Sequence, residues 1–275
     1  LNDYWLNNIP KKFNKFQYSN DKKKISNEIN NTYPIFIIGL PRCGSTLIES
    51  IISSGNEKVQ NLGETNLVNW AFLNTNKNVL SLSNKDERIK IDSKETSKKI
   101  IETIRNFRKK ENQKKFFFSE KSLENFYYIE LILNVYPNVK FIHPYRNLVD
   151  NVFAIYKKFL PRISWSHSLE NILQYVDNYL FIIDYFKKKY SEKIFSISLE
   201  NFTKNPRGLS KEIYKFCNLK WSENCLDFYK RDDLFINTAS NNQIRSSVES
   251  YDDDKYKPYK KILDKYRNKY IWLDY

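Results

Sequence analysis

The stretch FIIGLPRCGSTL, Phe36 to Leu47, runs from an apolar segment through two glycines into a pair of hydroxyl residues. Gly39 and Gly44 have the spacing of the phosphate loop G-x-x-x-x-G-K-[ST], but Ser45 stands where that loop carries its phosphate-gripping lysine. What remains is a device for binding an anion. Pro41 fixes a turn, Gly44 allows a ligand close to the backbone, and Ser45 and Thr46 bring hydroxyls to a helix start that Thr46 is placed to cap. A glycine loop feeding a helix offers converging N–H groups to a phosphate, and Arg42 supplies a cation from a different place than the lysine. Arg146 is the second cation of interest, because it follows the apolar run VKFIH and precedes a helical pattern. Its guanidinium fork matches a phosphate bidentately.

These groups need a scaffold that brings strand ends together. Short apolar runs predict strands at Ile35 to Ile38, Phe116 to Phe118, Val139 to Ile142 and Ile194 to Ile197. Helical patterns follow each, at Ser45 to Ser54, Asn125 to Tyr136, Leu148 to Phe159, Leu169 to Lys189 and Leu209 to Cys217. Strand and helix in alternation imply an α/β fold, with a mostly parallel central sheet flanked by helices in three layers, P-loop-like in its first unit. Ligands in such sheets sit at the carboxyl ends of the strands. The lysine-rich stretch from Asn74 to Lys115 reads as a peripheral helical insertion.

A length of 275 residues suits one large domain. The net charge of +14 would fit nucleic acid, a membrane surface or an anionic cofactor, but Lys, Asn, Ile, Tyr and Phe are abundant throughout, as an AT-rich gene would produce. The basic residues form no stripe interleaved with aromatics of the kind that binds single strands. Cys43, Cys217 and Cys225 make an odd count without C-x-x-C spacing, so neither a disulfide framework nor a zinc site is indicated and free thiols are expected. No apolar run approaches the ~20 residues of a membrane span, and LNDYWLNNIPKKF lacks a signal-peptide core. A cytoplasmic protein is expected. The chain starts at Leu1 and contains no Met, so an upstream region is expected beyond it.

PIFIIGLPRCGSTLIESII resembles the PxFIxGxPRSGTTLxExIL segment of sulfotransferases that use 3′-phosphoadenosine 5′-phosphosulfate. The resemblance holds in particular for the branch that often follows tetratricopeptide repeats and is related to tyrosylprotein sulfotransferases. Six further stretches resemble family segments in the same order: NLGETN, FSEKSLENF, FIHPYRNLVDNVFAIYKKF, ISLENFTKNP, FCNLKWSENCLDF and TASNNQIRSSV. The resemblance implies a sulfotransferase domain over residues 34–275, preceded by an N-terminal segment of residues 1–33.

It further implies that the loop residues Arg42, Cys43, Gly44, Ser45, Thr46 and Leu47 hold the 5′-phosphosulfate, with Arg146 on the 3′-phosphate. Lys158, Arg245 and Lys255 are additional cofactor-side candidates. Glu64 falls on the family's general base, Lys121 on the lysine that neutralises the leaving oxygen, and Ser240 on the serine that hydrogen-bonds the same oxygens. No metal is expected, since sulfuryl transfer from this donor needs none. The implied partner is an acceptor, whether peptide tyrosine, glycan or small alcohol, and nucleic acid is not expected.

Two positions depart from the family pattern: Ala154 replaces a serine eight residues after the phosphate arginine, and Leu199 replaces the tyrosine of YEdL. Ser196 and Ser198 are the residues placed to compensate. The competing readings are a P-loop nucleotide kinase or NTPase, a basic nucleic-acid-binding protein without activity, and a sulfotransferase fold that has lost turnover.

Overall fold

The computed structural model describes residues 2–14, 31–55, 59–77, 92–110, 116–231, 246–252 and 254–274. Five strands form one sheet: β1 Tyr33–Ile37, β2 Val59–Asn61, β3 Phe117–Glu120, β4 Lys140–Tyr145 and β5 Ile194–Ser198. Their order is β2-β3-β1-β4-β5, and every pairing is parallel. Alternation along β1 feeds two cores. Phe36 and Ile38 point to one face and Ile35 and Ile37 to the other, all nearly inaccessible. Strands buried on both faces read as continuous apolar runs, which is why IFII was legible. β2 was not anticipated, since VQN has no apolar alternation and the strand is paired on one side by β3.

One face carries α1 Ser45–Gly55 and α8 Pro206–Phe216. The other carries α2 Leu67–Thr75, α3 Ser93–Lys110, α4 Ile129–Val135, α5 Leu148–Lys158 and α6 Leu169–Lys189, with the short α7 Leu199–Lys204 closing the edge after β5. The expected helix Asn125 to Tyr136 is divided into a 3₁₀ segment, Leu123–Tyr128, and α4. Its first turn tightens because the Asn125 amide is drawn to the Glu120 carboxylate while Asn125 N donates to Ser122 O at 3.0 Å. The N-terminal residues Tyr4, Leu6, Ile9 and Phe13 are buried in the same core as α5 and α6. No helix among the described residues is long and apolar enough to cross a membrane.

The stretch read as a peripheral insertion is corrected over residues 93–110. Ile100 and Ile104, one turn apart on α3, are fully buried against α2 and α4, and Arg108 reaches across Phe118 to donate to Gln60 Oε1 at 3.0 Å. Two isoleucines and a half-buried Phe107 are a thin stripe in a lysine-rich sequence, yet they suffice to seat the helix. His143 ties the far side together. Its Nδ1 lies 3.0 Å from Ser196 Oγ on β5, and its Nε2 bonds the Tyr179 hydroxyl on α6. Burial, reinforced by Lys187, lowers the imidazole pKa to about 3.

Two outcomes follow. Ile104→Ala should destabilise the protein by about 2–5 kcal/mol in urea unfolding, whereas a change under about 0.5 kcal/mol, typical of a surface site, would return the helix to the periphery. His143 also adds a pH dependence. Between its ordinary pKa of 6.5 and about 3 the unfolded chain binds a proton there that the native state refuses, so stability falls as pH falls through that window. His143→Asn should show a shallower loss of unfolding free energy from pH 6.5 to pH 4.

Candidate functional site

Because all five strands are parallel, the loops after them emerge on one edge. β1 leads into Arg42–Thr46, β2 into Glu64, β3 into Lys121, β4 into Arg146 and β5 into Leu199. β1 is central, and the chain leaves it for β2 and β3 on one side and returns for β4 on the other, which makes its carboxyl end the switch-point crevice.

The loop after β1 is held by its own carbonyls. Asn151 Nδ2 on α5 donates to Pro41 O at 2.6 Å, and Arg146 Nη1 donates to Arg42 O at 3.4 Å. Arg42 is left-handed, φ 67°, a conformation that costs a non-glycine residue about 1–3 kcal/mol and is found where function demands it. Gly44 has φ 91°, and a Cβ there would lie 2.8 Å from the Leu199 side chain. Ile48 N donates to Gly44 O at 3.2 Å, so the helix cap falls on Gly44 and Thr46 sits inside the first turn, a correction to its expected capping role. Cys43, Ser45 and Thr46 are buried, and Leu47 packs against the α1 core. The Arg42 guanidinium has its pKa lowered by burial first, then raised by Tyr256 and lowered again by neighbouring Arg146. Two cations held close at a helix N-terminus call for an anion.

Glu64 and Lys121 are set side by side by their backbones. Leu62 N donates to Ser119 O and Lys121 N to Gly63 O, each at 2.9 Å. Thr65 Oγ1 donates to Glu120 Oε1 at 2.9 Å, and Asn66 N donates to Ser122 Oγ at 2.7 Å. In consequence Lys121 Nζ meets Glu64 Oε1 at 2.5 Å. The Lys121 side chain is wholly buried while Glu64 is 42 % exposed, so the lysine is fixed and the glutamate is the partner free to move. Behind the lysine, Glu49 Oε2 on α1 lies 3.7 Å away. Burial alone would depress Lys121, but Glu49 and Glu64 outweigh it and raise its pKa. One ammonium does not satisfy all the carboxylates around it. Burial, against the pull of Lys121 and with Glu64 and Glu120 adding to it, pushes Glu49 up to about 7, and burial raises Glu124 to about 7 as well.

Arg146 is 11 % exposed. Its Nε and Nη2 donate to the Tyr251 hydroxyl at 3.0 and 2.5 Å, and that hydroxyl donates to Asp150 Oδ2 at 2.6 Å. Thus Arg42, Arg146, Lys121 and Glu64 share one edge, as do Cys43, Gly44, Ser45, Thr46 and Leu47. Lys158 does not join them. It is exposed at the last turn of α5, about 15 Å along the helix from the end nearest Arg146. Lys255 is exposed beside the Tyr256 ring. Ser240 and Arg245 lie outside the described residues. Ser196 and Ser198, expected to compensate for Ala154 and Leu199, are engaged elsewhere, on His143 and on Glu200 Oε2 at 2.6 Å respectively.

Sequence reasoning missed Glu49, Glu120, Glu124 and Tyr251. Glu49 had a signal, since it occupies the glutamate of TLxExIL, and Glu120 sits at the acid before Lys121 in FSEKSLENF. Tyr251 carried none. Among the described residues no group of His, Cys, Asp and Glu is arranged to hold a metal ion.

Residues 34–223 match the profile of the sulfotransferase family. An uncharacterized protein of Aquifex aeolicus (strain VF5) is 26% identical over 245 residues, 84% of this chain and 31% of that protein, so the chain spans about a third of the curated relative it matches. Among solved structures, the sulfotransferase domain of the Synechococcus PCC 7002 olefin synthase aligns with a TM-score of 0.61 at 17% identity, covering 88% of this chain and 91% of that one. The sulfotransferase domain of the curacin biosynthetic pathway gives 0.56 at 17% identity, over 82% and 90%. At that identity the two structures speak for the fold, whereas the profile runs from within β1 past the loop that follows it, Glu64, Lys121 and Arg146: the chain belongs to the sulfotransferase family.

Proposed function

We propose that the protein transfers a sulfuryl group from 3′-phosphoadenosine 5′-phosphosulfate to an acceptor hydroxyl, on a peptide tyrosine, a glycan or a small alcohol. The observation that carries this reading is the contact of Glu64 with the buried Lys121 on the same sheet edge as the Arg42 loop and Arg146. The donor set fits the co-substrate: two arginines and a helix N-terminus suit two phosphate groups, and Ser45 in place of a lysine argues against a kinase-type loop. When bound, the co-substrate supplies an activated sulfuryl group.

Residues Arg42 to Leu47 hold the 5′ end and Arg146 the 3′-phosphate. Glu64 takes the proton from the acceptor hydroxyl as its oxygen bonds to sulfur. Lys121 donates to the phosphate oxygen that keeps the electron pair of the broken sulfur–oxygen bond, an electrostatic role that suits a fixed, fully charged ammonium. A carboxylate paired with an ammonium is a poor base, so Glu64 must part from Lys121 to act. Its exposure permits that movement, and Glu49 Oε2 lies 3.7 Å from the lysine as a second carboxyl partner. The three cysteines are buried free thiols, which fits a reducing, cytoplasmic setting.

Arg146→Ala and Arg42→Ala should each weaken calorimetric binding of adenosine 3′,5′-bisphosphate, by about 1.5–3 kcal/mol for loss of a charge-assisted hydrogen bond. Wild-type affinity in both variants would remove the site assignment. Glu64→Gln should lower turnover on the order of 10²–10⁴-fold with nucleotide affinity nearly unchanged. Lys121→Ala should instead slow the chemical step in single-turnover experiments with saturating donor. Transfer by Glu64→Gln at the wild-type rate across the pH range would place the base elsewhere.

A further inference from the structure

The donors of Arg146 are already engaged. The side edge of its fork, Nε and Nη2, converges on a single oxygen, the Tyr251 hydroxyl, at 3.0 and 2.5 Å. Its end is divided between the Arg42 carbonyl, 3.4 Å from Nη1, and Asp150 Oδ2, 3.9 Å from Nη2. The Tyr251 ring covers the guanidinium, with 4.7 Å from its centroid to Cζ. A bidentate phosphate on this arginine would put an oxygen where the phenol oxygen now lies.

We propose that Tyr251 is an intramolecular competitor for the 3′-phosphate position, holding Arg146 until a ligand with a phosphate at that point displaces it. The inference rests on the assignment of Arg146 to the 3′-phosphate made above. It makes Tyr251 a specificity-determining residue. A nucleotide ending in a 3′-hydroxyl offers Arg146 nothing better than the phenol it would replace, and the phenol has a second bond, to Asp150 Oδ2 at 2.6 Å. A phosphate adds ion pairing to two parallel hydrogen bonds, whereas the phenol gives the guanidinium a single neutral oxygen. Burial, and then the bond to Asp150, raises the phenol pKa above its ordinary value, so the hydroxyl leaves as a neutral group with its proton. Asp150 Oδ1 is buried without a hydrogen-bond partner. Displacement is local, because Tyr251 is flanked by exposed Ser250 and Asp252, with Val248 packed on the α1 core before it and Tyr256 stacked on Phe153 after it.

The test uses the full chain labelled with ¹³C at tyrosine Cζ, the Tyr251 resonance being identified by its loss in Tyr251→Phe. Saturating adenosine 3′,5′-bisphosphate should move that resonance to the position of a solvent-exposed phenol, and AMP should leave it in place. Tyr251→Phe keeps the ring over the guanidinium and removes only the oxygen. It should bind the bisphosphate about three- to tenfold more tightly, the range for relief of one competing hydrogen-bonded contact, with AMP affinity unchanged. An unmoved resonance in the bisphosphate complex, or a variant that binds it no more tightly than wild type, overturns the proposal. If the bisphosphate binds neither protein, the co-substrate reading fails on its own, and titration with inorganic phosphate decides for Tyr251. Movement of its resonance then supports competition at an anion site, and none at high phosphate overturns it.

Discussion

Parallel pairing of β1 with β3 on one side and β4 on the other is the constraint from which the site follows. A parallel neighbour sends its carboxyl end to the same edge, so the groups that follow β1, β3 and β4 have no other place to meet. Parallel pairing requires crossover connections, and the helices on the two faces bury β1 beyond Tyr33. The loop is therefore mounted on a deeply enclosed segment, with Ile35, Phe36, Ile37 and Ile38 all at or below 1 % exposure. A left-handed arginine and a glycine packed against Leu199 persist there because the surroundings over-determine them.

Charge is arranged differently on the two halves of the edge. Around Arg42 and Arg146 cations are close together and part of their charge is met by Tyr251 and Asp150. Around Lys121 carboxylates outnumber the cation, and burial raises Glu49 and Glu124 toward neutrality. Burying one ammonium is costly unless it is paired, and the pairing here uses residues from three separate elements. Glu120 acts on Lys121 only through its charge, after Glu49 and Glu64. Its carboxylate is occupied by Thr65, Ser122 and Asn125, and it serves to lock the loop after β2 to the loop after β3.

Both departures from the family pattern have structural consequences that the side chains make plain. Leu199 lies against Gly44, giving the loop an apolar cover in place of a phenol. Ala154 is buried on α5, two turns beyond Arg146, beside Phe153 that packs on Tyr256. The hydroxyl bonded to Arg146 comes from Tyr251, which belongs to a distant part of the chain.

Four of the five strands, the helices α1, α5, α6 and α8, the loop, and the two ends of α6 were legible in the sequence because each depends on local pattern: apolar runs, glycine spacing and a 3.6-residue period, whereas β2, α2 and α7 carry too weak a pattern to be read. Family-like segments even placed Glu64 and Lys121 in the same machinery. Their contact was not legible, for they are 57 residues apart and meet only because β2 and β3 pair in a particular register. Tyr251 and Arg146 are 105 residues apart, and no local pattern links them. Tertiary structure likewise decided that the lysine-rich helix α3 belongs to the core and that Lys121, an ordinary surface residue by composition, is wholly buried. It also left Lys158 and Lys255 in solvent, because a helix carries a residue away from a strand end at 1.5 Å per position whatever the charge of its side chain.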